Sequence, residues 1–402
     1  MQAKRLSKAQ RLSLTTLPQA IIETILCLLP IEEAARTSIL SREWRYKWTT
    51  IPKLVFFQST VKTLTEGWHL SNRKKISFLE EKRRNKERRC KLFYAIQQVL
   101  LQRQGPIHEF TLSMEADITC FEIDHIILHL SRNHTLKRLT LDLEEPCFNH
   151  PYGLPLSVFS LRHLTDLYLE YCDVDLKPIF NGLGSLTSLT LKKTWISRET
   201  LLHLLSSCPS LKSLCVMLQN HVNDCENPSI MELFKCLTKI EHLTTWGYIT
   251  MLVQDLVPGE LLPSLTRLKY FCIEELGFGD EDGLAFLGVL LKCSPNLEKI
   301  KLEIETDDGY HEIESSNMEK YSVILEEQYS DVWLEHLSEL EIRCYRNYKL
   351  ELELVKFILA RSPNLKKVLF RHSWLYVSRK ELKRLRTLLR PPHASSVEFV
   401  LV

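Results

Sequence analysis

Residues 136–141 read Leu136-Lys137-Arg138-Leu139-Thr140-Leu141. The same spacing of apolar positions returns as Leu164-Thr165-Asp166-Leu167-Tyr168-Leu169 and Leu186-Thr187-Ser188-Leu189-Thr190-Leu191. Looser copies start at Leu211, Leu297, Leu337 and Leu365, and weak ones at Ile240 and Leu265. Ile107 opens the series and Ala394 closes it. Successive starts lie 22 to 40 residues apart, with a mean of 28.7. Apolar residues at alternate positions turn one face of a short strand into a core.

Between the copies the apolar spacing becomes helical. Ile123, Ile126, Ile127 and Leu130 share a face, as do Leu201, Leu204 and Leu205; Leu284, Leu287, Leu290 and Leu291; and Leu354, Phe357 and Ile358. The phrases Cys208-Pro209-Ser210-Leu211, Ser294-Pro295-Asn296-Leu297 and Ser362-Pro363-Asn364-Leu365 punctuate the return at one phase. Proline stops a helix and biases the residue before it to extended geometry. One strand and one helix cannot bury their own apolar side, so stacked neighbours must build a continuous core. A period of roughly 20–29 residues is that of leucine-rich repeats. Cys172 occupies the ninth position of its copy, where such repeats place Asn or Cys. The expected fold is α/β: a leucine-rich-repeat solenoid with parallel strands on the concave face and helices and irregular returns outside.

The 402 residues are 45% hydrophobic and 25% charged, which excludes a disordered chain. With 12 glycines there is no Gly-rich phosphate loop. No run approaches the roughly 18 apolar residues of a membrane span. Met1-Gln2-Ala3-Lys4-Arg5 leads into no apolar signal region. An intracellular protein of the nucleus and/or cytoplasm is expected, without a membrane partner. The 12 cysteines form no Cys-x-x-Cys and read as small buried hydrophobes. His125 and His129 are one helical turn apart but lack a third ligand. No nucleophile, P-loop or paired-carboxylate motif appears. No catalytic residue, metal site or cofactor is therefore expected.

Charge is unevenly spread. Residues 1–91 carry 20 basic and 8 acidic side chains, a balance of +12, leaving −10 for the rest of a chain whose total is +2. The basic joint at 73–91 reads best as a solvated helix leading into the repeats, since Phe93, Ile96, Val99 and Leu100 continue with helical spacing. A nuclear-localisation signal is the alternative there, and nucleic-acid binding ranks below both. Acidic residues between Glu303 and Glu327 read as a surface loop.

The head, residues 14–55, spends apolar residues on several faces. Thr15 or Thr16 can cap a first helix with Pro18 in its first turn. Ile21, Ile22, Ile25, Leu28 and Leu29 follow, and Pro30 ends it. Glu32 and Glu33 open a second helix. Ser41 is positioned to cap a third, with Trp44 and Trp48 on one face. Three helices in about 40 residues make a marginal core, and the surplus apolar surface suits a protein-binding module.

Leu17-Pro18, the Ile21–Leu26 run, Leu29-Pro30, Arg36–Ser41 and Trp44/Trp48 resemble, in order and spacing, the F-box of plant F-box proteins. Residues 333–402, with Leu337–Ile342, Leu354–Ala360 and Ser362–Leu365, resemble the FBD domain that closes plant F-box/FBD/LRR-repeat proteins. The resemblance implies a basic tail at 1–13, an F-box at 14–55, a linker and basic helix at 56–105, repeats at 106–332 and an FBD domain at 333–402 that continues and caps them. It implies docking on the Skp-type adaptor of a cullin–RING ubiquitin ligase, with an unknown protein substrate on the repeats. A repeat scaffold acting without the ligase is the alternative. By position, the adaptor contacts or their support are Leu17, Pro18, Ile25, Leu28, Leu29, Pro30, Ser41 and Trp44, with Trp44 the leading hot spot. Leu40 and Trp48 are expected in the core. Residues between the inward leucines face the concave side, which makes Tyr168, Glu170, Lys192, Lys269, Phe271, Lys301 and Arg343 the candidate substrate contacts.

Overall fold

The computed structural model describes residues 17–59, 78–132, 135–144, 150–174, 183–219, 229–246, 262–276, 281–304, 329–343, 349–371 and 397–401. They fall in two compact units, Met1–Leu164 and Thr165–Val402.

In the first unit, α1 (Gln19–Leu26) and α2 (Ile31–Arg36) are followed by a short 3-10 turn at Thr37–Ile39 and another at Lys47–Thr50. Then come β1 (Lys53–Phe57), α3 (Phe78–Gln102), β2 (Glu109–Glu115), α4 (Phe121–Arg132) and β3 (Arg138–Glu144). Prolines precede both α1 and α2, where their extended backbone serves as the helix cap. The threonines expected to cap α1 lie outside the described residues. The expected third helix is not an α-helix: residues 42–46 form turns before the 3-10 segment. Ser41 Oγ still accepts the Trp44 amide at 3.3 Å, so the capping contact forms without a helix behind it. Glu23 ties the head together, accepting from Gln19 at 2.9 Å and Thr50 at 2.7 Å. Those two hydrogen bonds hold its carboxyl below the usual carboxylate range.

β1 precedes Ile107, the expected opening of the repeat series. Ile51, Leu54 and Phe56 are buried with the repeat's own spacing, and β1 pairs in parallel with β2, Leu54 opposite Phe110 and Phe56 opposite Leu112. The repeat series therefore begins at Ile51, inside the head, rather than at Ile107. Gly105 packs against this junction. A Cβ there would lie 3.0 Å from the Thr50 backbone, which favours the residue without one. The basic joint is helical as expected from Phe78 onward, and Leu92, Phe93, Ile96 and Leu100 are buried. Three of its cations form ion pairs: Arg84 with Glu80, Lys91 with Glu87, and Arg89 with Asp117 at 2.9 Å.

The second unit is a parallel sheet in chain order: β4 (Asp166–Glu170), β5 (Ser188–Thr194), β6 (Ser213–Leu218), β7 (His242–Trp246), β8 (Tyr270–Leu276), β9 (Lys299–Ile304), β10 (Glu339–Arg343), β11 (Lys367–Arg371) and β12 (Glu398–Leu401). The helices α5 (Arg198–Ser206), α6 (Ile230–Cys236), α7 (Glu281–Cys293) and α8 (Lys349–Arg361) occupy the expected intervals. Two apolar rows run across the sheet in register. One contains Leu167, Leu189, Leu214, Leu243, Phe271, Ile300, Leu340 and Val368, all buried.

The starts of β5 to β11 are each locked to the previous repeat by one carbonyl that accepts two successive amides. Thr187 O receives Lys212 N and Ser213 N, Lys212 O receives Glu241 N and His242 N, and Glu241 O receives Lys269 N and Tyr270 N. The pattern continues through Lys269, Glu298 and Ser338. Before each of β4 to β11 a turn closes between an apolar or small residue and the leading apolar residue three positions on, such as Leu183 and Leu186 or Leu237 and Ile240. In the copy read as starting at Leu265, that turn runs from Leu265 to Leu268 at 3.0 Å. Its true start is Leu268, three residues later, and the flanking intervals become 28 and 29 residues. The Pro-containing phrases acquire a second role. Asn296 and Asn364 donate to the turn carbonyls of the preceding repeat, Thr266 O at 2.7 Å and Glu335 O at 2.8 Å.

Thr245 interrupts the second apolar row, where its neighbours are Val216 and Ile273. It is fully buried and its hydroxyl has no hydrogen-bond partner among the described residues. A buried unpaired hydroxyl costs more than an isosteric methyl. Thr245→Val should raise the stability of the folded chain by about 1 kcal/mol, read as a higher urea midpoint at unchanged slope.

Candidate functional site

The head divides its apolar residues between core and surface. Ile22, Leu26, Ile31, Ala34, Trp44, Trp48, Ile51 and Leu54 are buried. Trp44 is only 6% exposed, so it supports the head from within, and its assignment as the leading contact is corrected. Leu40 is corrected in the opposite sense: expected in the core, it is 64% exposed. Leu28 at 81% and Ile39 at 86% are the most exposed large apolar residues of the head, and Ile21, Ile25, Leu29 and Tyr46 are also exposed. Pro18 and Pro30 lie at the surface, and Leu17 and Ser41 are half-buried. Ile39 carries no distinctive sequence signal. Its exposure follows from the 3-10 turn at Thr37–Ile39, which α-helical periodicity does not anticipate.

On the repeat sheet, the face opposite the apolar rows carries the candidate substrate residues. Tyr168 donates its hydroxyl to the Glu170 carboxylate, and Glu170 stands beside Lys192 in register. Phe271 is fully buried in the apolar row, and its assignment as a surface contact is corrected. The physical reason is the three-residue frame shift: Tyr270, Cys272 and Glu274 take the opposite face instead. Lys269 precedes β8 and lies in an exposed ion-pair ladder, 2.8 Å from Glu298. Lys301 is buried between Glu303 at 3.6 Å and Glu274 at 3.9 Å.

Glu341 is the hub of this end of the sheet. It accepts from Arg343 at 2.9 Å and Arg371 at 2.8 Å, with Lys299 at 3.9 Å. Burial alone would raise its carboxyl. The hydrogen bond from Arg343 and the charges of Arg343 and Arg371 outweigh burial and hold it below the ordinary range. Arg343 thus spends its guanidinium inside the sheet. By contrast, the stretch around β6 to β8 presents Ser213, Thr244, His242, Trp246 and Tyr270, with the His242 and Tyr270 rings 5.9 Å apart. Cys215 lies in the same stretch, and burial pushes its thiol up to about 12. Among the described residues no three His, Cys, Asp or Glu side chains form a metal-holding group, and His125 and His129 are exposed. No helix of the described residues is long and apolar enough to cross a membrane.

Comparison with known proteins gives three family matches: the F-box domain over residues 14–56, the LRR repeats of the FBD-associated F-box protein At5g56370 over 126–258, and FBD over 333–370. The F-box/FBD/LRR-repeat protein At1g13570 of Arabidopsis thaliana is 30% identical over 402 aligned residues, covering 88% of this chain and 90% of that protein. The chain belongs to the F-box/FBD/LRR-repeat family. The Arabidopsis FBD-associated F-box protein At5g56370 is 25% identical across 88% of this F-box/FBD/LRR-repeat chain and 89% of its own length. A putative F-box protein, At3g58860, is 29% identical over half of this chain and 40% of that protein. The FBD match spans β10, α8 and β11, which continue the parallel sheet and its repeat.

Because the folded carboxyl of Glu341 is held below its ordinary value of 4.5, its contribution is complete above that pH and is lost as pH falls through the lower folded value. Glu341→Gln should cost about 2 kcal/mol at pH 7 and progressively less below about pH 4.5. Thermal unfolding of both forms from pH 7 to 3 checks this. A penalty independent of pH would show that charge at Glu341 is not the cause.

Proposed function

We propose that this chain is the substrate-recognition subunit of an SCF-type ubiquitin ligase. Its F-box docks on a Skp-type adaptor, and its repeats capture a protein for ubiquitination inside the cell, in the nucleus or cytoplasm. The observation that carries the reading is the head's surface. A domain too small to hide all its apolar residues buries two tryptophans and exposes Ile25, Leu28, Leu29, Ile39 and Leu40. Such exposure is unfavourable in isolation and favourable once a partner covers it. Leu17, Pro18, Pro30 and Ser41 flank these residues, while Trp44 and Trp48 hold the helices beneath them.

The chain acts by proximity rather than by chemistry of its own. Holding a substrate lysine near the conjugating machinery raises its effective concentration. We assign substrate contact to the part of the sheet around Tyr168, Glu170, Lys192, His242, Trp246 and Tyr270, whose side chains are half-buried or exposed. The Lys301, Glu341 and Arg343 network stiffens the neighbouring strands. The proposed domain order is F-box at 14–55, basic helix and linker to 105, repeats to 332 and an FBD cap. A repeat scaffold working without the ligase remains the second reading, since the repeat surface would serve it equally.

Co-purification with a plant Skp-type adaptor tests the proposal. Leu28→Ala combined with Ile39→Ala should weaken binding at least about tenfold and leave the unfolding temperature within a few degrees of wild type, because both side chains are exposed. Trp44→Ala should instead lower stability by about 3 kcal/mol. A folded wild type that binds no adaptor would favour the scaffold.

A further inference from the structure

A cleft of about 550 Å³ opens on the head, lined among others by Ser38, Ile39, Ser41, Arg42, Arg45 and Tyr46. Its two arginines differ from the other cations of the head. Arg36 pairs with Glu33, Lys47 bonds Gln19, and Lys53 lies 3.7 Å from Glu109. Arg42 and Arg45 are exposed, one helical turn apart in sequence, and have no carboxylate or hydrogen-bond partner among the described residues. Glu43 stands between them and forms no ion pair with either.

Two guanidinium groups facing one recess without a counter-charge repel each other and are stabilised by any anion that enters. The +12 balance of residues 1–91 adds a field of the same sign. The recess includes Ile39, and Leu40 follows it directly; both are exposed apolar residues of the docking surface. We propose that the cleft receives an acidic segment of the Skp-type adaptor, whose carboxylates pair with Arg42 and Arg45 while adjoining apolar residues cover Ile39 and Leu40. The inference rests on the adaptor-docking reading above and adds the charge of the partner. Planar guanidinium forks match carboxylates bidentately, which fixes orientation as well as affinity. Rim charges of this kind act mainly on the rate of encounter, and apolar contacts mainly on the rate of escape.

The test is a kinetic one on the full chain. Association and dissociation rates with a plant Skp-type adaptor are measured from low salt to 0.5 M NaCl for wild type, Arg42→Glu/Arg45→Glu and Leu28→Ala. The charge reversal should slow association about tenfold at low salt, with the gap closing as salt screens it and dissociation little changed. Leu28→Ala should speed dissociation and leave the salt dependence intact. Exchanging the matching acidic residues of the adaptor for lysine should restore association to the reversed variant. Thermal unfolding of the reversed variant should match wild type, since neither arginine is bonded among the described residues. Adaptor binding with an association rate unchanged by the reversal would overturn this inference alone. A wild-type chain that binds no adaptor would overturn the docking reading together with this one.

Discussion

Parallel strands cannot be joined by a tight turn, so each repeat must leave the sheet, return and start again at one defined height. From β5 to β11 that height is set by a single backbone carbonyl per repeat, which accepts two amides from the strand start that follows. A slip of one residue would turn every inward side chain outward, and the shared carbonyl opposes that slip at each strand. The apolar rows then stack in register, and each leucine is buried by its neighbours rather than by its own repeat. The turns ahead of the strands are cross-linked in the same direction by Asn296 and Asn364.

The head meets a different constraint. A segment of about 40 residues has too little interior for its apolar content. It solves this by placing Trp44 and Trp48 inside and by continuing directly into β1, so that the first strand of the repeat also completes the head. The backbone contact between Gly105 and Thr50 and the bond from Gln104 N to Thr49 O bind the two parts at the same place. The exposed leucines and isoleucines of the head are therefore carried on a segment joined directly to the first strand of the repeat.

The repeat sheet handles charge by pairing it internally. Around β9 to β11, Lys299, Lys301, Glu303, Glu341, Arg343 and Arg371 neutralise one another across adjacent strands. Paired charges of this kind are costly to separate and poorly suited to recruit a partner. The neutral, partly aromatic stretch near β7 and β8 is left as the accessible chemistry.

The amino-acid sequence by itself determined the architecture. Alternating leucines at a near-constant interval, helical spacing between them and recurrent prolines specify stacked strand–helix units, because periodicity is a local property. The order of Leu-Pro pairs, isoleucines and tryptophans likewise marked the F-box. Only the tertiary structure decided frame and burial. At Leu265 and Leu268 two apolar residues three apart both fit the pattern, and the turn hydrogen bond chose between them, carrying Phe271 from surface to core. Ile51, Leu54 and Phe56 matched the repeat too, but their place inside the head concealed it until β1 was seen pairing with β2. Trp44 and Leu40 exchanged their expected roles because burial is set by what packs on a side chain from elsewhere in the chain. Which charges remain unpaired among the described residues, as Arg42 and Arg45 do, depends equally on neighbours that only the folded chain brings near.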